Sequence, residues 1–348
     1  MVRTIDFRYK VMRNGAEYGS IYPVDGNAPK IWMDNSSNIK THLSGTFLAP
    51  DRDTDWLTDQ IRPELIINGV SYHAGIFLPA SIQETDHESY KSITLEAYDQ
   101  CWVVRDHRAE SMPYFPAGTN YVEAVISMLA EAGITLIRAE ETDEVMTEDR
   151  EDWSIGTSYL DIINQLLNEI NYNPLWFNAD GVAVIEPIST ASAVHVDHYL
   201  DDSVVEHMLM PGKQSKTDLY SQANVFICVC SNADKSGPML AVAENTNPQS
   251  PLSIGRRGRR ISKIITIDNI ASQEALQTYA SRQVTDSLLS SEIITVQTAL
   301  LPGYGVGDIT AIRIGGVMTV CKETAWTMEL RTGGPMVHTL ERSVIALA

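Results

Sequence analysis

The stretch Glu151-Asp152-Trp153-Ser154-Ile155-Gly156-Thr157-Ser158-Tyr159-Leu160-Asp161-Ile162-Ile163-Asn164-Gln165-Leu166-Leu167 decides how this chain is read. Leu160, Ile163, Leu167 and Ile170 recur at helical spacing, which makes one face of a helix apolar. Ser158 stands at the N-cap position with an acid, Asp161, three residues on, an arrangement that serves the free amides of a first turn. The same pattern occurs 38 residues earlier. Gly118-Thr119-Asn120-Tyr121 matches Gly156-Thr157-Ser158-Tyr159, and Leu129 and Glu131 match Leu167 and Glu169. Tyr121, Val122, Val125, Ile126 and Leu129 form the equivalent apolar face, with Asn120 as cap and Glu123 as the following acid. Two capped helices are therefore expected, and two copies do not make a repeat array.

Working outward, Asn173-Pro174-Leu175-Trp176-Phe177-Asn178-Ala179-Asp180-Gly181-Val182-Ala183-Val184-Ile185 reads as strand, Asp-Gly turn, strand. With the helices it forms a small α/β module over residues 107–198. The acids between the helices, Glu140, Glu141, Asp143, Glu144, Glu148, Asp149, Glu151 and Asp152, read as a solvated loop. A calcium loop would need alternating acids around a turn glycine, and this stretch lacks both.

Residues 1–106 read as β. Ile5, Phe7, Tyr9 and Val11 alternate with Asp6, Arg8 and Lys10, Ile93, Leu95 and Ala97 alternate with Thr94, Glu96 and Tyr98, and Asn68-Gly69 sits between two β-type runs as a hairpin turn. Asp51 to Asp59 reads as an acidic irregular loop. Residues 199–348 return to β, with a strand at 224–230, a loop rich in Ser, Asn and Pro from Ser231 to Pro251, and a helix over about 271–290 striped by Leu276, Tyr279, Ala280, Val284 and Leu288. Further strands are expected at Ile293–Val296, Ile309–Ile314, Val317–Val320 and Thr324–Leu330, punctuated by glycines. The fold class is α+β and β-rich.

The 348 residues carry 26 Lys+Arg against 45 Asp+Glu, a formal charge of −19. That sign disfavours general nucleic-acid binding, which needs cations to displace phosphate counterions. With 44% hydrophobic residues and no apolar run approaching about 18 residues, the composition fits a folded globular chain without a spanning helix. The N-terminus has no apolar h-region of a signal peptide, so synthesis in the cytoplasm is expected. Four cysteines, Cys101, Cys228, Cys230 and Cys321, make a poor disulfide framework. Cys228 and Cys230 point to one face if 224–230 is a strand, and no second pair completes a zinc set.

No nucleophile elbow, zinc-helix motif or phosphate loop occurs. Gly303-Tyr304-Gly305-Val306-Gly307-Asp308 precedes a strand instead of opening a helix, so it reads as a turn and not a dinucleotide site. His195 and His198, with His207 downstream, have metal-like spacing, but their β-like flanks send the first two to opposite faces. Paired acids such as Asp51, Asp53 and Asp55 carry little information in so acidic a chain. No catalytic, cofactor or metal site is therefore assigned. Trp32, Trp56, Trp102 and Trp326 are candidate sugar platforms if exposed and core residues if not. Arg256, Arg257, Arg259 and Arg260, with Lys263, form the one basic island, without interleaved aromatics. Contacts to carboxylates on a neighbouring subunit suit it best, because the guanidinium fork pairs bidentately.

The module quoted above resembles a recurring segment of the phage tail hub family, in which a Trp and a Gly-Thr/Ser cap lead a helix of hydrophobic pairs, followed by a strand pair with an Asp-Gly turn. Tyr220–Val225, Pro251–Arg257 and Leu301–Ile309 resemble the start of that family's second barrel, its connecting loop and a later turn and strand. The order of these motifs over most of 110–348 carries the resemblance. It implies two tail-tube-like antiparallel β-barrels, residues 1–106 and 199–348, separated by the 107–198 module. It further implies a homotrimer of pseudo-sixfold symmetry joining tail tube to central spike or tip, with the tape-measure protein and neighbouring baseplate or distal tail proteins as partners. Localisation in a virion tail or tail-like particle assembled in the host cytoplasm follows. No cofactor, membrane span or specific nucleic-acid binding is implied, although DNA passes through such a lumen. A tail-associated peptidoglycan hydrolase and a carbohydrate-binding tail tip protein are the alternatives from other classes.

Overall fold

The computed structural model describes residues 3–50, 53–188, 196–204, 209–217, 222–230, 239–267, 270–289 and 292–342. The N-terminal part holds β1 (Ile5–Arg13), β2 (Ala16–Ile21), β3 (Lys30–Asp34), β4 (Thr41–Leu48), β5 (Gln60–Ile67), β6 (Val70–His73), β7 (Leu78–Asp86) and β8 (Lys91–Tyr98), then α1 (Cys101–Asp106). The middle holds α2 (Tyr121–Glu131), β9 (Ile137–Ala139), α3 (Tyr159–Glu169), β10 (Trp176–Phe177) and β11 (Ala183–Ile185). There follow β12 (His198–Asp201), β13 (Gln214–Thr217), β14 (Val225–Cys230), β15 (Met239–Glu244), α4 (Ile254–Arg257), β16 (Ser262–Ile267) and α5 (Gln273–Leu289). The chain closes with β17 (Glu292–Ala299), β18 (Ile309–Ile314), β19 (Val317–Glu329) and β20 (Pro335–Arg342).

Among the described residues the strands form four sheets, and none closes on itself. The expectation of two closed barrels is not met by these sheets. One runs β2-β1-β5-β6. The largest runs β13-β17-β20-β19-β3-β4-β8-β7, with β18 and β12 branching from β19. The two ends of the chain thus meet in one sheet through the antiparallel pair β3–β19, where Trp32 faces Thr327 and Met33 faces Trp326. Alternation explains the joint, because Ile31, Met33 and Met328 all turn into the same apolar cluster as Leu43, Phe47 and Ala97.

Val317–Val320 and Thr324–Leu330 are one strand and not two. A register shift between Glu323 and Ala325 interrupts the pairing with β20, and Thr324 uses its carbonyl for Asn35 N at 2.9 Å and its hydroxyl for Thr339 O at 3.0 Å. The loop expected from Ser231 to Pro251 contains β15, which pairs with β14 from Val225↔Glu244 to Cys230↔Met239. Its Ser/Asn/Pro-rich surroundings mask a short continuous apolar run, Met239 to Ala243. Cys228 and Cys230 do share a buried face, which α5 covers with Leu276 and Ala280. The side chain of Leu288 lies outside the described residues.

The module rests on a twofold-like exchange between its two similar segments. Tyr121, at the start of α2, donates its hydroxyl to Glu169 at the end of α3 (3.0 Å), and Tyr159, at the start of α3, donates to Glu131 at the end of α2 (2.7 Å). Thr119 Oγ1 bonds Pro116 O and Thr157 Oγ1 bonds Ser154 O, both at 2.7 Å. Phe115 and Trp153, equivalent residues, meet edge to face at 5.8 Å. The strand-like segments before each helix are crossed. Ala109 pairs with Gly156 and Thr157, while Met146 pairs with Gly118 and Thr119. Gly118 and Gly156 hold φ of 88° and 86°, which side chains resist at this turn. The caps differ. Asn120 Oδ1 accepts from Val122 N and Glu123 N as expected, whereas Ser158 has N-cap geometry but makes no cap bond, and its hydroxyl is buried without a partner.

Candidate functional site

Two places could carry function: the junction where the module meets both β regions, and the arginine loop. At the junction, β10 and β11 form a hairpin whose turn is built by Asn178, with its Oδ1 accepting from Asp180 N and Val182 N at 3.0 Å. The turn plugs into the N-terminal β region through His73 to Asp180 (2.7 Å), Gly75 N to Ala179 O (3.0 Å) and Gln100 Nε2 to Gly181 O (3.1 Å). Gly181 has φ +77°, and a Cβ there would come within 2.7 Å of Ile76 Cδ1. Trp176 lies against the glycine turn before β18, where a Cβ on Gly305 would touch its ring at 3.0 Å. That turn is the one read from Gly303 to Asp308, and Asp308 Oδ2 ties it by accepting from Gly305 N at 2.7 Å.

Tyr304 is stacked on His198 (3.8 Å) and tilted against His338 (4.8 Å). His198 Nε2 meets Asp308 at 2.7 Å, while the buried His338 lies 3.2 Å from Glu323 and 3.0 Å from the Thr298 hydroxyl. Glu323 and His338 have no exposed side-chain surface. Burial pushes the Glu323 carboxyl up, and the His338 hydrogen bond opposes it. Sealed this way, the pair holds β19 to β20 and cannot reach a substrate. A cleft of about 570 Å³ opens beside it, lined by Arg138, Trp176, Glu186, His198, Asp308 and Lys322. Burial raises the Glu186 carboxyl, with Arg138 at 3.2 Å pulling the other way, and burial lowers the Lys322 ammonium. Of its carboxylates, Glu186 is engaged by Arg138, Asp308 by His198 and Gly305, and Asp197 by the backbone amide of Ile309, and no Ser, Thr or Cys among the described residues lines it. No group of three His, Cys, Asp or Glu among the described residues is arranged for a metal. His195 and His207, like Asp51, lie outside the described residues.

The arginine loop is strapped to the β15-β14-β16 sheet by buried asparagines. Asn224 donates to Leu252 O (3.3 Å) and Arg259 O (3.0 Å) and accepts from Ile261 N (2.7 Å). Asn245 donates to Ser250 Oγ at 2.9 Å. Ser253 caps α4 through Arg256 N, and Gly258 ends it with φ 65°. Arg257 donates to Gln222 O at 2.7 Å, and Arg260 forms a fork on Glu244 at 2.5 and 3.1 Å, which raises its guanidinium pKa. Arg260 thus meets a carboxylate of its own chain, and Arg256 and Arg259 are exposed on the same loop. Of the tryptophans, Trp326 is buried and Trp32, Trp56 and Trp102 are half-buried. Trp32, His42, Tyr98 and Trp102 run as one aromatic row, with centroids 4.2, 3.9 and 4.4 Å apart.

Sequence reasoning missed the buried pair Arg150–Glu169 (2.7 and 3.0 Å), because a charged residue inside an acidic loop gives no sign of burial. The short apolar run Met239 to Ala243 was a signal for the third strand of the arginine-loop sheet.

No protein-family model matches the chain, and no curated protein matches it. Solved structures do. The tail protein from Neisseria meningitidis MC58 aligns with a TM-score of 0.68 at 14% identity, over 97% of each chain. The 43 kDa tail protein of prophage MuSo2 from Shewanella oneidensis aligns with a TM-score of 0.66 at 12% identity, over 98% of this chain and 99% of that one. A component of the E. coli type VI secretion system, described as structurally similar to the T4 tail proteins gp27 and gp5, aligns at 0.53 and 9% identity, over 97% of this chain and 80% of that one. The chain therefore has the fold of phage tail proteins along nearly its whole length. No helix among the described residues is long and apolar enough to cross a membrane.

Proposed function

We propose that this chain is a structural hub of a virion tail or tail-like particle, acting without catalysis. The observation that supports the reading is the whole-length likeness to tail proteins. In this reading residues 1–106 and 199–348 act as two tube-like β units, with residues 107–198 between them, so that three copies imitate a sixfold ring. Such a ring joins the tail tube to a central spike or tip and lines the conduit through which tape-measure protein and DNA pass. Neighbouring baseplate or distal tail proteins contact its outside. The formal charge of −19 supports a bore that repels a passing polyanion instead of holding it.

Low-resolution electron microscopy of the purified oligomer, with native mass spectrometry, tests the reading. A threefold ring with stoichiometry divisible by three is expected. A strictly monomeric chain, or clearing of host cell walls by the purified protein, overturns it.

A further inference from the structure

We infer that Asn14 is a site of spontaneous deamidation driven by the chain's own backbone, and that Asn68, in the same dipeptide, is protected from it. The sequence holds Asn-Gly twice, and each makes a two-residue hairpin turn, Asn14-Gly15 between β1 and β2 and Asn68-Gly69 between β5 and β6. Their φ values, 51° and 77° against 50° and 84°, describe the same type I′ turn. Both asparagines are exposed, and a Cβ built on either glycine would meet nothing within 4 Å, so both turns stand open to water alike. What surrounds each turn decides which one reacts.

In the reaction the Gly15 backbone nitrogen attacks the side-chain amide carbon of Asn14. The N–H proton passes to the departing nitrogen, ammonia leaves, and a succinimide ring closes. Water then adds across either C–N bond of the imide, giving aspartate or isoaspartate. Glycine favours closure because no side chain shields its nitrogen. A type I′ turn opposes it, since at the first central residue the side chain and the following amide point away from each other across the Cα–C bond. The turn must open first, and opening does not cost the same at the two sites.

Around Asn68 the ladder runs on past the strand end. Thr4 N donates to Asn68 Oδ1 and Asn68 N donates to Thr4 O, both at 3.0 Å, so the residue before β1 clamps this turn. Behind it β5 and β6 pair without a break from Glu64↔His73 to Ile67↔Val70. Asn14 has no such clamp among the described residues. A register shift between Val11 and Met12 also cuts its hairpin short, leaving Met12↔Glu17 and Arg13↔Ala16 to hold the tip. The looser turn is the reactive one. As isoaspartate, residue 14 adds a backbone carbon to a turn built for two residues, so the modification unpairs the tip of β2, an edge strand of its sheet.

The full-length chain is aged in warm, mildly alkaline buffer, both folded and in concentrated guanidinium chloride, and peptide mass spectrometry with isoaspartate detection follows each site. In the folded chain Asn14 is expected to convert roughly 10-fold or more faster than Asn68, the factor conferred by two intact hydrogen bonds, and in denaturant the two rates should converge. Thr4→Pro, at a strand start that tolerates proline, removes the amide donor and should speed Asn68 with unchanged circular dichroism while leaving Asn14 as it was. Equal rates in the folded chain, a ratio that survives denaturant, or an Asn68 indifferent to Thr4→Pro overturns the inference.

Discussion

Tyr121 and Tyr159 make the same hydrogen bond at equivalent positions, yet replacing the two accepting carboxylates should have very different costs. Glu169 is 1% exposed and holds Arg150, itself 2% exposed, through two bonds of 2.7 and 3.0 Å besides the Tyr121 hydroxyl at 3.0 Å. Glu131 is exposed and accepts only Tyr159 at 2.7 Å in the same role. Glu169→Ala leaves Arg150 with the half-open Asp152 as its carboxylate, and stripping one partner from a buried pair costs about 3–5 kcal/mol. Glu131→Ala removes one solvent-facing bond, about 0.5–1.5 kcal/mol. The difference, about 2–4 kcal/mol, corresponds to a roughly 30- to 700-fold difference in opening equilibrium. Native-state hydrogen exchange of peptides covering α2 and α3 reads that ratio directly. Glu169→Gln keeps an acceptor while removing charge and should fall between the two. Equal loss of protection in Glu131→Ala and Glu169→Ala would refute the argument that burial, and not the shared Tyr–Glu bond, sets the energy.

Gly181→Ala should loosen the module from the N-terminal β region by about 1–3 kcal/mol or more, since φ +77° and the 2.7 Å approach to Ile76 both oppose a side chain. Limited proteolysis checks it, with faster cleavage expected and an unchanged pattern counting against the plug. Asp59 accepts Arg13 Nε and Nη2 at 2.7 and 2.6 Å, and these bonds hold its carboxyl below the usual range. Its stabilisation is therefore present at neutral pH and lost as pH falls below about 4 through the lower folded value. Asp59→Asn should flatten that acid limb, and identical unfolding-versus-pH slopes in both proteins contradict the assignment. All four cysteines are free and buried, and burial pushes the Cys321 thiol up to about 12. A thiol reagent at pH 8 should label none rapidly in the native chain and all four after unfolding; rapid labelling of Cys321 in the native chain would contradict this.

Much of the local structure was legible. Helices α2 and α3 were set by periodicity and a polar cap residue, and Asn68-Gly69, with φ of 50° and 84°, makes the hairpin its dipeptide announces. The Ser158 cap was not legible, because whether a hydroxyl reaches the second or third amide depends on its rotamer in a packed turn. The bulge at Thr324 was likewise hidden, since a single displaced residue leaves the alternation on either side intact. For the arginine loop, residue type indicated an anion-pairing surface. Only the fold showed that Arg260 turns to Glu244, sixteen residues upstream in its own chain.

Hydrophobic period, cap residues and turn dipeptides act over a few residues, so composition and spacing alone determined a β-rich chain with a duplicated helical segment and no recognisable reaction centre. Which strands become neighbours was decided by the tertiary structure. Alternation marks a strand's inward face but leaves its backbone edges free to pair with any partner. The join of β3 to β19, nearly three hundred residues apart in the chain, therefore waited on the shared core into which Ile31, Met33 and Met328 all turn. The crossed Tyr–Glu bonds arise the same way, from side chains that distant packing brings together.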